Sequence, residues 1–144
     1  MTTEHVEILL VEDNQDDIEL TKEALSNGTL RYRLIVVRDG QEALQYLVGN
    51  GVEPANPPAL ILLDLRLPRV DGLDVLRRLK QEPVLRRVPV VVMTTSKRDE
   101  DIVRSYDLGV NSYIHKPVMF EEFLKTVRTL ETYWLHTNTP PLLN

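Results

Sequence analysis

The residues of this chain that could do chemistry are few, and most are acids. Glu12-Asp13, Asp64, Thr94 and Lys116 each stand at the end of a short apolar run: Val6-Glu-Ile-Leu-Leu-Val11, Ala59-Leu-Ile-Leu-Leu63, Pro89-Val-Val-Val-Met93 and Asn111-Ser-Tyr-Ile-His115. Taken singly, each has an ordinary explanation. An Asp after a strand commonly caps a loop, and Glu12-Asp13 suits the start of a helix as well as it suits a cation. Taken together they describe a reaction. Three carboxylates in a small volume leave at least one protonated unless a divalent cation is bound. Mg2+ is hard, prefers oxygen and works beside phosphoryl groups. A lysine opposite the acids holds a phosphate oxygen as a point charge, and a threonine hydroxyl donates to another. An aspartate can itself be the nucleophile. The inventory is that of phosphoryl transfer onto a carboxylate, by positioning and charge neutralisation.

Whether these groups meet depends on the elements that carry them. The four runs above, with Tyr32-Arg-Leu-Ile-Val-Val37, read as strands, and the five apolar residues before Asp64 as one buried on both faces. Helical periodicity follows each strand. Ile18, Thr21, Ala24 and Leu25 share a face between Asp16 and Ser26, and Asn27-Gly28 supplies a stop. Asp39 reads as an N-cap with Glu42 closing a capping box; Ala43, Leu44 and Leu47 follow, and the helix ends at Gly49-Asn50-Gly51. Val52 to Pro58 is a connecting loop. Asp71-Gly72 opens a third helix with Leu73, Val75, Leu76 and Leu79 inward and Arg77, Arg78 and Lys80 on a solvated face. Ile102, Val103 and Tyr106 give the fourth helix its apolar side. The fifth, Val118 to Leu135, carries the stripe Phe120, Phe123, Val127, Leu130 and Trp134, and Thr137 to Asn144 is a tail expected to fray.

This alternation predicts an α/β fold with a doubly wound, five-stranded parallel sheet and helices on both faces. In the strand order 2-1-3-4-5, strands 1, 3, 4 and 5 lie side by side, so Glu12-Asp13, Asp64, Thr94 and Lys116 converge in one crevice at their carboxyl ends.

Composition narrows the rest. With 144 residues the chain is one domain. A net charge of −5 and no Lys/Arg cluster argue against a nucleic-acid partner. No apolar run approaches a membrane span and no signal peptide opens the chain, which together predict a cytoplasmic protein. The absence of cysteine removes disulfides, thiolate catalysis and thiolate zinc sites together. His5, His115 and His136 have no ligand spacing, and Tyr133 and Trp134 read as packing residues.

The set Glu12-Asp13, Asp64 with Pro68 and Asp71-Gly72 after it, Thr94 and Lys116-Pro117 resembles the receiver domain of two-component response regulators, from about Val6 to Leu135. The resemblance implies a flavodoxin-like receiver over 1–136, a tail over 137–144 and no output domain. It implies a phosphoprotein of a phosphorelay, not an enzyme with a substrate of its own. Asp64 is then the phospho-acceptor for a cognate histidine kinase. Glu12, Asp13, Asp64 and the backbone carbonyl of Arg66 hold Mg2+, directly or through water. Thr94 is the switch hydroxyl, Lys116 the phosphate-binding lysine and Tyr113 the aromatic that changes rotamer. A cis Lys116–Pro117 bond is frequent in that family. Ile8-Leu-Leu-Val-Glu-Asp-Asn14, the Pro-rich loop, Pro89 to Ser96 and Tyr133-Trp134-Leu135 are more closely similar to regulators paired with bacterial phytochromes, which points to a bacteriophytochrome kinase as partner. Glu12 replaces the Asp of many receivers, and Thr95 a smaller residue beside the switch.

Two other classes of protein fit the residues less well. An Asp-nucleophile phosphohydrolase wants a second acid two residues on, where Arg66 stands. A phosphorylation-independent interaction module would be expected to lack Asp64, Lys116 or the acid pair, and all are present. With no output domain, the signal must leave through a changed surface. The sequence predicts a symmetric homodimer through helix 4, strand 5 and helix 5, with Trp134 near the contact because helix 5 outruns the sheet there.

Overall fold

A computed structural model describes residues 6–26, 32–49 and 57–142. Its strands are β1 (Val6–Val11), β2 (Tyr32–Val37), β3 (Leu60–Leu63), β4 (Val90–Thr94) and β5 (Ser112–His115). Its α-helices are α1 (Gln15–Ser26), α2 (Gly40–Val48), α3 (Gly72–Lys80), α4 (Asp99–Asp107) and α5 (Phe120–Glu131). All strand pairs are parallel and the order is β2-β1-β3-β4-β5, as expected from the sequence.

The central strands are apolar in their middles, Ile8–Val11, Leu60–Leu63 and Val90–Met93, because both faces are covered there. Successive residues point to opposite sides. Leu9, Val11, Ile61, Leu63, Val90 and Val92 meet Ala43 and Leu47 of α2 and Val75, Leu76 and Leu79 of α3. Ile8, Leu10, Leu60, Leu62, Val91 and Met93 meet Ile18, Ala24 and Leu25 of α1 and Phe123, Val127 and Leu130 of α5. Polar groups are therefore confined to the strand ends. Asp39 caps α2 by accepting from the Glu42 N–H at 2.7 Å, while Glu42 reaches back to the Arg38 N–H at 3.0 Å, one residue before the cap. Asp71 caps α3 through the Leu73 N–H at 2.9 Å.

Several expectations need correction. The apolar side assigned to α4 does not face the core: Val103 and Tyr106 are exposed and only Ser105 is buried, because α4 covers the thin outer edge beside β5. Helix α5 starts at Phe120, itself exposed, and leaves α geometry at Thr132 for a π-helical turn, Thr132–Thr137. Trp134 and Leu135 still pack against the α1–α5 side of the core, and Leu124 is buried in it, so the end of the helix does have core to cover. Lys80 is half-buried, its Nζ donating to the Arg86 carbonyl at 3.2 Å; Arg77 pairs with Asp74 and Arg78 with Glu82. The tail is tied back where Arg87 Nη1 donates to the Leu142 carbonyl at 3.3 Å. Lys116–Pro117 is trans, the lower-energy isomer. His5, the Asn27-Gly28 stop, Asn50-Gly51 and most of the Val52–Pro58 loop lie outside the described residues.

Candidate functional site

The carboxyl ends of the strands are extended by one further rung each, and those rungs are the site. The Glu12 N–H donates to the Val37 carbonyl at 3.0 Å, the Asp64 N–H to Val11 at 3.1 Å and the Lys116 N–H to Thr94 at 2.8 Å. Each polar residue is thus fixed by a neighbouring strand although it lies just past its own. Backbone pairing, not side-chain chemistry, sets the spacing of the crevice.

Within it the side chains converge. One carboxylate oxygen each from Glu12, Asp13 and Asp64 lies within 4.8 Å of the others. Glu12 and Asp64 are buried, at 3% and 5% exposure, while Asp13 is exposed at the mouth. Lys116 Nζ donates to Asp64 Oδ2 at 2.8 Å and pairs with Glu12 Oε1 at 2.6 Å and Asp17 Oδ2 at 2.8 Å. Burial pushes the Glu12 carboxyl up to about 7; the nearby Asp64 charge adds to this, and the Lys116 ammonium opposes it. Burial alone would lower Lys116, but its bonds to Asp17, Asp64 and Glu12 outweigh that and hold it above the usual lysine range. The ammonium stays charged and is shared among the three carboxylates.

The other expected residues occupy the same end of the sheet with different partners. Thr94 is fully buried, and its Oγ1 accepts from the Ser96 N–H at 3.4 Å. The half-buried Tyr113 hydroxyl donates to the Ser96 carbonyl at 3.1 Å. The Arg66 N–H donates to Asp64 Oδ1 at 3.1 Å while its side chain is exposed. Thr95 is exposed.

The contributions of three residues were not legible in the sequence. Asp17 stands in the first turn of α1, and only the fold aims it at Lys116, 2.8 Å away. Ser96 joins Thr94 and Tyr113 to α4, since its Oγ donates to Asp101 Oδ2 at 2.5 Å. Gly72 read as a helix start and as part of the motif after Asp64, but not as a close approach. A Cβ there would lie 2.5 Å from both the Asp64 carbonyl oxygen and Leu65 Cα, so only glycine lets α3 begin this close to the Asp64 loop.

The oxygen-only donor set suits a hard divalent cation. A doubly wound parallel sheet of this order, with acids at the ends of β1 and β3 where the order reverses and a lysine after β5, defines the class of flavodoxin-like α/β domains with a site at the carboxyl edge of the sheet. Comparison with known proteins gives the family. The chain belongs to the response regulator receiver domain family, whose profile matches residues 8–128. It is 45% identical over 135 residues to response regulator Rcp1 of Synechocystis sp., covering 93% of this chain and 92% of that protein. A probable methanogenesis regulatory protein of Methanothrix harundinacea, FilR2, is 44% identical over 93% of this chain and 86% of its own length. Among solved structures, the phosphorylated cyanobacterial phytochrome response regulator RcpA superposes with a TM-score of 0.91 at 47% identity, covering 96% of this chain and 100% of the other. The Mn2+-bound form of Rcp1 gives 0.88 at 44% identity, over 95% and 99%. No helix among the described residues is long and apolar enough to cross a membrane.

Proposed function

We propose that this response regulator accepts a phosphoryl group on Asp64 from a histidine kinase, in a receiver unit spanning residues 1–136. The observation that carries the reading is the Lys116 ammonium 2.8 Å from Asp64 Oδ2, inside a cluster of acids whose oxygens approach within 4.8 Å. Asp64 is the nucleophile: a carboxylate oxygen bonds to phosphorus as the phosphorus–nitrogen bond of the donor phosphohistidine breaks, its electron pair returning to the imidazole. The Arg66 N–H holds the other carboxylate oxygen and so orients the attacking one. Lys116 compensates charge on a phosphoryl oxygen, and the Thr94 hydroxyl is the nearby group able to rotate toward it. Glu12, Asp13, Asp64 and the Arg66 carbonyl would hold the cation, with Mg2+ the assignment favoured by hard oxygen donors. When bound, the cation supplies positive charge against which the acids and phosphoryl oxygens are balanced.

A phytochrome kinase is the donor we favour, because the similarity to RcpA extends over nearly the whole chain. Val118, Met119 and Phe120, exposed directly after Lys116-Pro117, offer an apolar rim that a donor protein can bury. The test is phosphotransfer from purified histidine kinases, a phytochrome kinase first, read by intact mass. Wild type should gain one phosphate in Mg2+ and Asp64→Asn none. Equal labelling of the two would remove Asp64 from the role.

A further inference from the structure

Lys116 has more partners than phosphate binding requires. An ammonium has three N–H donors, and here Glu12, Asp17 and Asp64 engage it at 2.6, 2.8 and 2.8 Å. Two of those three acids are also in the oxygen cluster suited to a cation; Asp17 is not. The Lys116 side chain is only 7% exposed. If Glu12 and Asp64 were its only partners, engaging both elsewhere would leave a buried ammonium unpaired, which is strongly unfavourable.

Asp17 is built to prevent this. It lies in the first turn of α1, where its N–H donates to Asn14 Oδ1 at 3.0 Å and its carbonyl accepts from Thr21 Oγ1 at 2.7 Å. Its backbone is therefore held from both sides while its carboxylate reaches across to the end of β5. Its side chain is 21% exposed, so it keeps some water and carries its charge at lower cost than Glu12 or Asp64.

We propose that Asp17 is a positioning residue: it retains the Lys116 ammonium when Glu12 and Asp64 are given over to a divalent cation. The inference rests on the receiver reading above. Without Asp17, Lys116 competes for the same two carboxylates and opposes metal binding.

A double-mutant cycle read by calorimetric titration with Mg2+ and with Mn2+ tests it. Asp17→Asn should weaken affinity about tenfold, the scale of one charge-assisted hydrogen bond. Lys116→Ala should bind the cation as well as wild type or better. Adding Asp17→Asn to Lys116→Ala should then change affinity by no more than about twofold, because the competitor is gone. Asp17→Glu should stay near wild type, and Asp17→Ala, which has no acceptor for Lys116, should lose at least as much as Asp17→Asn, whose amide oxygen still accepts but carries no charge. An equal loss with and without Lys116 would mean that Asp17 acts on the cation through space, and would overturn the proposal; so would an Asp17→Asn affinity equal to wild type. A wild type that binds neither cation would overturn the receiver chemistry itself, which keeps the two failures apart.

Discussion

Buried carboxylates are rare unless something holds them, and this chain holds two kinds. Those in the crevice are compensated: Glu12 and Asp64 face Lys116, whose ammonium they share. Glu131, at the end of α5, is not. It is buried, its Oε2 finds no hydrogen-bond donor among the described residues, and burial raises its carboxyl above the ordinary 4.5, with His136 and Arg128 only partly opposing. The nearby Tyr32 hydroxyl is likewise buried without a partner, and burial followed by the Glu131 charge pushes it up to about 12. A carboxyl raised by folding favours the protonated form. Its contribution to stability is therefore complete below pH 4.5 and is lost as pH rises through the raised range. Glu131→Gln removes the charge and keeps the shape. In urea melts it should match wild type in acid and exceed it by about 1–2 kcal/mol at neutral pH, the cost of a buried unsatisfied acceptor. A gap that does not grow with pH would contradict this.

At the scale of elements, the β4–α4 loop is the joint on which the site and the outer surface meet. Ser96 is held at three points: its N–H by Thr94, its carbonyl by Tyr113 and its hydroxyl by Asp101. Helix α4 has no side-chain cap at Arg98 and buries only Ser105, so few contacts other than Asp101 and Ser105 anchor it. A rotation of the Thr94 hydroxyl toward the crevice would release the Ser96 N–H, and the loop would then be free to shift α4. Ser96→Ala keeps the bonds made by its own N–H and carbonyl, and removes both the hook on Asp101 and the Oγ that accepts from the Arg98 N–H at 3.4 Å. It should cost about 1 kcal/mol and speed amide exchange selectively in the first turn of α4. Exchange unchanged in α4 but faster elsewhere would rule out the anchoring role.

For the molecule as a whole, α4 and the end of α5 stand out because they expose large apolar residues. Val103, Tyr106 and Tyr133 are exposed. Trp134 is half-buried, edge-on to Tyr133 with ring centroids 5.0 Å apart. A symmetric dimer through the face of α4, β5 and α5 would cover them. In such a dimer Tyr106 and Val103 carry more of the contact than Trp134, which is already partly occupied with the core. Sedimentation should show self-association of wild type at micromolar concentration, weakened by Tyr106→Glu more than by Trp134→Ala. A wild-type monomer, with Trp134 emission indifferent to dilution, would end the idea.

How much of this was legible beforehand differs with the range of the interaction. The five strands and the polar residues at their carboxyl ends follow from local pattern, because a strand buried on both faces must be apolar until it leaves the sheet; their parallel direction follows from the alternation with helices, and the order 2-1-3-4-5 from the fold class that the resemblance implies. Glu12, Asp13, Asp64 and Lys116 could be grouped from sequence for that reason. Local pattern does not show which face of a helix finds a partner, and α4 reads as amphipathic although little of the sheet remains for Val103 and Tyr106 to cover. Nor does it show where α5 changes its winding. The Asp17 contact with Lys116 joins residues far apart in the chain, and Gly72 matters only through the closeness of another loop. Those features depend on distances across the crevice, which only the packed tertiary structure decided.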